Sequence, residues 1–543
     1  MPQLLTKVRE AHGDDYELGH LDLTARTATF MPTVGVAQFV GDTLTLPRTL
    51  ATPAAGDRVA SMIQEQQPGY VMVEFDPHRG IARRAKLTGD EIVTRQAVAE
   101  ALGVKPWEVG VAVRDGGGYL LTSLPARYTP SRHHSKLTEV AETKVPGGKP
   151  GWYVRVDGTT LTGEIVPAEL PTFEPVYPYP LDTLATVNRD VIPFGVELPH
   201  PGDTTPRVAS LNLATSASVL VAGLANGGKT VTLSALVAGS LASGSELSII
   251  TTTDKSVDFT WCRDMVRDGG WGCESLEHAA AVVYSLYQEG SRRSEWLKAN
   301  APGVANWLQL PPDQQFRPSL LVFDEFSAIT DQEKTVGMSK NDPMRDEIEY
   351  ENMLRSRIKR YTQKIMREMR FVGLRVIVSS QVSNAQTGLG PTDKAQMGHR
   401  VLCGSNPSPA ARNQAFNDPQ SVPEVPGNVR ADSGAARGAG SYSSEGRHPA
   451  VFKSFYAPMD SYRSTLFGLG VPTTTRPEPS AAEVAAAVPD SDMGGDDWVV
   501  TRLDSEGGWG ELDGRDTPEQ KLTGAAKAAH DHRTLMNGGG DRV

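Results

Sequence analysis

Hydrophobic and polar positions change rhythm near residue 207. After it, short apolar runs alternate with helical stretches: SVLVAG at 218–223, TVTLSALVAGSLA at 230–242, LSIITTT at 247–253, LEHAAAVVYSLYQEGSRRSEWLKA at 276–299, SLLVFDE at 319–325 and LRVIVSSQ at 374–381. Continuous apolar runs of this length are strands without a solvent-facing side, and their alternation with helices predicts a parallel sheet covered by helices. Upstream the signals are weaker. Residues 1–55 are Thr/Val-rich and strand-like, and 56–165 mix helices and strands as a small α/β domain. In that domain TRQAVAEALG forms a helix ended by Gly103, while GYLLTSL and GWYVRVDG form strands. Proline is frequent over 166–206, which suits a linker or an extended, wrapping segment. The sheet-forming domain then covers 207–465. Residues 466–543 are rich in Ala, Gly, Pro and Asp, and we expect an acidic, disordered tail. No internal repeat is present.

At 543 residues the chain exceeds one hydrophobic core, so two or three domains are expected. No run of 18 apolar residues occurs, MPQLLTKVRE has no signal-peptide core, and the three cysteines (Cys262, Cys273, Cys403) have neither disulfide nor metal spacing. These features point to a cytoplasmic chain without membrane insertion. The net charge of −11 argues against nucleic acid until it is located. From Val471 onward fourteen Asp/Glu face seven Lys/Arg, so −7 lies in the tail. Between Leu354 and Arg375 eight Lys/Arg accompany one Glu. That basic stretch, with the loop SNAQTGLGPTDKAQ and the cluster PSRHHSK, forms the candidate surface for DNA phosphates. The His133–His134 pair lacks further ligands at metal spacing.

The chemistry concentrates after the strand 218–222. There Gly223-Leu224-Ala225-Asn226-Gly227-Gly228-Lys229-Thr230 spells GxxxxGK[ST] between a strand and a helix. Glycines let such a loop curl so that backbone N–H groups face phosphate oxygens, and the helix N-terminus adds a favourable dipole. Lys229 would reach the β- and γ-phosphates of ATP, and Thr230 would place its hydroxyl on Mg2+. Asn226 tolerates the left-handed backbone that the inner loop requires. A second element, SLLVF followed by Asp324-Glu325, puts an acid pair at the C-terminal end of a buried strand. Asp324 would hold Mg2+, and Glu325 would polarise the attacking water. A third, Arg375 to Gln381, ends a core strand in an amide placed to sense the γ-phosphate or the water.

These elements in this order resemble the FtsK/SpoIIIE family of DNA translocases. The family pattern runs GxTGSGKS, a strand followed by DPK, DE on a strand, GRAxGIH, and a strand ending ATQ. Here the corresponding residues are Gly223 to Thr230, Thr253-Asp254-Lys255, Asp324-Glu325, Met369 to Arg375 and Ser379-Ser380-Gln381. Lys394-Ala395-Gln396-Met397-Gly398-His399-Arg400 matches the family's KANIPTR in spacing, and Arg292-Arg293 its Arg pair. The match covers about half the chain. It departs at Ala225 and Gly227, where the family has Thr and Ser, and it includes neither a membrane-spanning region nor a winged-helix module.

The resemblance implies an α/β fold: a RecA-like P-loop motor with a central parallel sheet, preceded by a smaller α+β region. It implies an ATP- and Mg2+-dependent ring, a homo-hexamer, that moves double-stranded DNA, with Arg370, or else Arg400, reaching into the neighbouring subunit's site. A protein partner for the tail is a further expectation. The alternatives are a conjugation coupling or secretion ATPase, and a non-processive ATP-dependent switch or assembly factor.

Overall fold

The computed structural model describes residues 2–12, 16–22, 24–203, 205–339, 342–381 and 389–488. The acidic stretch from 489 onward, Val382, and positions 383–388 of the candidate DNA loop lie outside the described residues.

The strand Ser218–Gly223 shows why this sequence builds a two-sided sheet. All six residues are buried. Successive side chains of a strand point to opposite faces. Val219 and Val221 therefore enter one cluster, with Leu247, Ile249, Leu320, Val322, Ile377 and the helix Lys229–Ala242. Leu220 enters another, with Ile250, Leu321, Phe323, Val376, Val378 and the helices Leu276–Asn300 and Pro343–Glu368. Each such side chain gains roughly 1.5–3 kcal/mol on leaving water, more than the ~1 kcal/mol that separates strand propensities. Cover on both faces therefore decides where these segments lie.

Six strands run parallel in the order His399–Cys403, Ser218–Gly223, Leu374–Gln381, Ser319–Phe323, Glu246–Ile250, Val266–Trp271. The acid-bearing strand is thus separated from the P-loop strand by the one that ends in Gln381. Beyond His399–Cys403 the sheet continues antiparallel through Ala439–Ser444, Ala450–Tyr456, Val191–Glu197 and Val208–Asn212. This mixed sheet of 11 strands, with the phosphate loop between a central strand and its helix, is a RecA-like P-loop fold.

The proline-rich stretch wraps the sheet and joins it. Tyr177–Pro178 pairs in parallel with Phe455 and Tyr456, Val191–Glu197 is an interior strand, and Phe173, Tyr179, Leu184 and Phe194 are buried in the same core as the P-loop helix. The expected disordered tail needs a correction at its start. The helix Met459–Gly468 crosses residue 466, and the chain stays packed through Ala487. The amides of Gly269 and Trp271 donate to the carbonyls of Arg476 and Pro477, so this strap covers the Val266–Trp271 edge. Its proline-rich composition reads as disorder, yet covering an edge this way requires only carbonyls, which proline keeps.

Upstream, a helix at Pro2–His12 precedes the hairpin Tyr16–Asp22/Thr27–Pro32. Gln38–Val40 and Thr43–Thr45 then join Ile81–Ala85 and Val71–Asp76 in one four-stranded sheet, which spans residue 55. A second four-stranded sheet, Gly110–Val113, Tyr119–Ser123, Thr162–Val166 and Tyr153–Asp157, packs on the helices Gly89–Leu102 and Pro130–Thr143. The first of these helices starts in a Thr88/Glu91 capping box and ends at Gly103, with φ 65°. Buried Arg95 ties the two small sheets together through the carbonyls of Met72 and Val109.

Candidate nucleotide-binding site

The P-loop turns between the end of Ser218–Gly223 and the first residue of the helix Lys229–Ala242. Two left-handed residues make the turn, Asn226 (φ 59°) and Gly228 (φ 92°). The neighbouring strand end braces it: the Leu224 amide donates to the Cys403 carbonyl at 3.0 Å. A β-carbon on Gly227 would lie 2.7 Å from that same carbonyl oxygen, so only glycine fits there. Thr232, one turn into the helix, bonds the Gly228 carbonyl and, at 2.6 Å, the Ser454 hydroxyl.

Three strand ends meet at Lys229. Its Nζ lies 2.7 Å from Oε1 of Glu325 and 3.0 Å from Oδ1 of Asp324. Gln381 Nε2 donates to the same Glu325 oxygen at 3.0 Å. The intervening position of the Gln381 strand is what brings its amide onto the same oxygen that the lysine holds. Burial disfavours the Lys229 charge, but Asp324 and Glu325 outweigh it and hold the pKa above the ordinary lysine value. Glu325 is buried with φ 51°. Left-handed backbone at a non-glycine residue costs on the order of 1–3 kcal/mol and is found where surrounding structure enforces it, often at functional sites. Here it turns the chain sharply out of the strand into the short helix Phe326–Thr330.

One carboxylate that the motifs did not reveal also faces the loop. Thr230 donates its hydroxyl proton to Oδ2 of Asp258 at 3.3 Å. Asp254, in the Thr253-Asp254-Lys255 element, is exposed instead. Asp258 arrives because the 3-10 run Thr253–Met265 folds back after its strand, a path that no local periodicity encodes. Thr230 and Asp324 offer hard oxygen donors of the kind magnesium takes, and the buried Asp324 carboxylate has the Lys229 ammonium as its ion-pair partner. The donor set therefore fits the expected cation.

The two candidate arginines part company. Arg400 is 4% exposed and donates to the carbonyls of Met397, Ala415 and Lys394. A guanidinium enclosed by its own chain cannot reach a neighbour's phosphate, so Arg400 is corrected to a structural role. Arg370 is exposed and donates to the carbonyls of Ala214 and Thr215, at 3.1 and 2.6 Å. These precede the P-loop strand, which puts Arg370 at the opposite end of the strands from Lys229. Arg293 is buried against Arg317, Ser319 and Val372. The basic stretch is partly consumed as well. Arg355 bonds Ala328, Asp331, Glu333 and Glu351; Arg357 bonds the Ala487 carbonyl; Arg375 is buried on Arg189 and Asp190. Arg360 and Arg367 remain exposed. His133 accepts from the Thr129 amide at its helix start. No helix among the described residues is long and apolar enough to cross a membrane.

Neither a protein-family model nor a curated protein matches the chain. Among solved structures it is similar to the pCW3 conjugation coupling protein TcpA, solved with ATPgS, at 15% identity and a TM-score of 0.44, over 70% of this chain and 100% of that one. It is similar to EssC (ATPases 2 and 3) from Geobacillus thermodenitrificans, at 11% identity and TM-score 0.40, over 55% of this chain and 52% of that one. The cytoplasmic domain of the Type VII secretion ATPase EccC of Thermomonospora curvata is similar at 16% and TM-score 0.34, over 64% of this chain and 34% of that one. The likeness is one of fold alone. The chain thus spans all of the TcpA chain, about half of the EssC chain and a third of the EccC chain.

Proposed function

We propose that this chain is an ATPase motor of the FtsK/SpoIIIE kind, which hydrolyses ATP to move double-stranded DNA and works as a homo-hexameric ring. The observation that carries the reading is the meeting of Lys229, Asp324, Glu325 and Gln381 at three adjacent strand ends, beside a glycine loop opening a helix. In this reading the backbone from Gly223 to Thr230 cradles the phosphates, and Lys229 leaves its acids to bind the β- and γ-phosphates. Glu325, relieved of that lysine, takes the proton of the attacking water while Gln381 orients it. Thr230 and Asp324 hold magnesium, which when bound neutralises charge developing on the phosphates. Arg370 acts on the neighbouring subunit's nucleotide.

The test is ATP hydrolysis by the purified chain with and without linear duplex DNA, alongside Glu325→Gln. We expect duplex to raise turnover. The variant should bind ATP and turn over 10²–10⁴-fold more slowly, the usual contribution of a general base. Stimulation by single strands or by a protein substrate instead would favour the coupling or secretion reading. Turnover indifferent to any polymer would favour a switch. Unchanged turnover by Glu325→Gln would remove Glu325 from the chemistry.

A further inference from the structure

Thr230 offers more than its place in the motif. A threonine hydroxyl has one hydrogen and two lone pairs, and it binds a cation through a lone pair. Its hydrogen must then be given to something else. Here that hydrogen is donated to Oδ2 of Asp258. Asp258 is half-buried, next to fully buried Phe259, on the 3-10 run Thr253–Met265 rather than on any of the three strand ends that meet at Lys229. Asp324 and Glu325 share Lys229, whereas no lysine, arginine or histidine among the described residues forms an ion pair with Asp258.

We propose that Asp258 is a positioning residue for the cation that accompanies the nucleotide: by accepting the Thr230 proton it turns the threonine lone pairs toward the metal. The proposal deepens, and rests on, the nucleotide-site reading above. Carboxylates that orient a metal ligand from outside the ligand set are worth 10–100-fold in metal affinity.

The experiment measures binding, not turnover. Mn2+ is titrated into the full chain in the presence of ADP and followed by electron paramagnetic resonance; a fluorescent ADP analogue is titrated separately in EDTA. Asp258→Asn should weaken Mn2+ by about 10–100-fold and leave analogue binding in EDTA unchanged or tighter. In a Thr230→Ala background the same substitution should change Mn2+ affinity little, because the hydroxyl it orients is gone. Should Asp258→Asn not fold by circular dichroism, Asp258→Glu, which keeps the charge and moves the oxygens, carries the same comparison. Unchanged Mn2+ affinity, or an equal loss in both backgrounds, overturns the proposal and leaves Asp258 as a tie between helix and 3-10 run. A wild-type chain that binds neither Mn2+–ADP nor the analogue overturns the nucleotide-site reading itself.

Discussion

Lys229 stands between two buried carboxylates and is itself largely buried, so its charge is structural before it is functional. Removing one member of a buried ion pair costs about 3–5 kcal/mol, because the partner's charge is left unpaired in a poor solvent. Lys229→Ala should therefore lose nucleotide binding and also unfold at markedly lower denaturant. The pH dependence has a definite sign. The folded pKa of Lys229 lies above the ordinary value, so its contribution is present through neutral pH and is lost as pH rises past the folded value. The stability gap between wild type and variant, read from denaturant melts, should be flat from pH 7 to 9. A gap already closing by pH 8 would contradict this. Arg400 makes the contrasting case. Arg400→Ala leaves three carbonyls without their donor and should cost roughly 3 kcal/mol in the same melts, at about 1 kcal/mol per lost bond. A variant as stable as wild type but unable to hydrolyse ATP would restore Arg400 to the site.

At the scale of elements, the strap over the sheet edge is the part that composition most misrepresents. It is held by the two edge amides, by the Arg476–Glu483 and Arg263–Glu478 pairs, and by the Ser480/Glu483 capping box. Burial opposes the Glu483 charge, but Arg476 and the Ser480 amide and hydroxyl outweigh it and pull the pKa down to about 2. A depressed carboxylate stabilises above its unfolded pKa and loses that contribution as pH falls through the folded value. Hydrogen exchange at Gly269 and Trp271 should therefore stay slow at pH 4, well above that value, and become faster in Glu483→Gln. Equal protection in variant and wild type would mean that the strap is held by packing alone.

The whole molecule separates Lys229 and Arg370 by the length of the strand Ser218–Gly223, about 20 Å at ~3.3 Å per residue. They cannot meet within one subunit; any shared nucleotide must lie between two. The ring reading therefore makes a demand on mixtures. Arg370→Ala alone should bind ATP but lose most hydrolysis, and doping it into wild-type chains should depress turnover more steeply than the fraction added. A linear decline, or normal turnover by the pure variant, would take Arg370 out of the trans role. Arg360, Arg367 and Arg370 are the exposed arginines of the basic stretch, with Lys359 and Lys364 half-buried beside them.

The sequence by itself determined the phosphate loop, the acid pair, the glutamine and the two-sided sheet, because each depends on local order: a glycine pattern, a strand that is apolar throughout, a polar residue at its end. Tertiary structure alone decided four matters. It gave Arg400 a buried carbonyl cage and Arg370 an exposed edge, though both are arginines near strands. It spent Arg355, Arg357 and Arg375 on neighbours distant in the chain. It drew proline-rich segments from both sides of the motor into the sheet, since backbone pairing is indifferent to the composition that signals disorder. It also carried Asp258 to Thr230, 28 residues away. Periodicity reports which face of an element is buried. Which residue that face meets is set by the crossing of chains, and a single sequence does not carry that information locally.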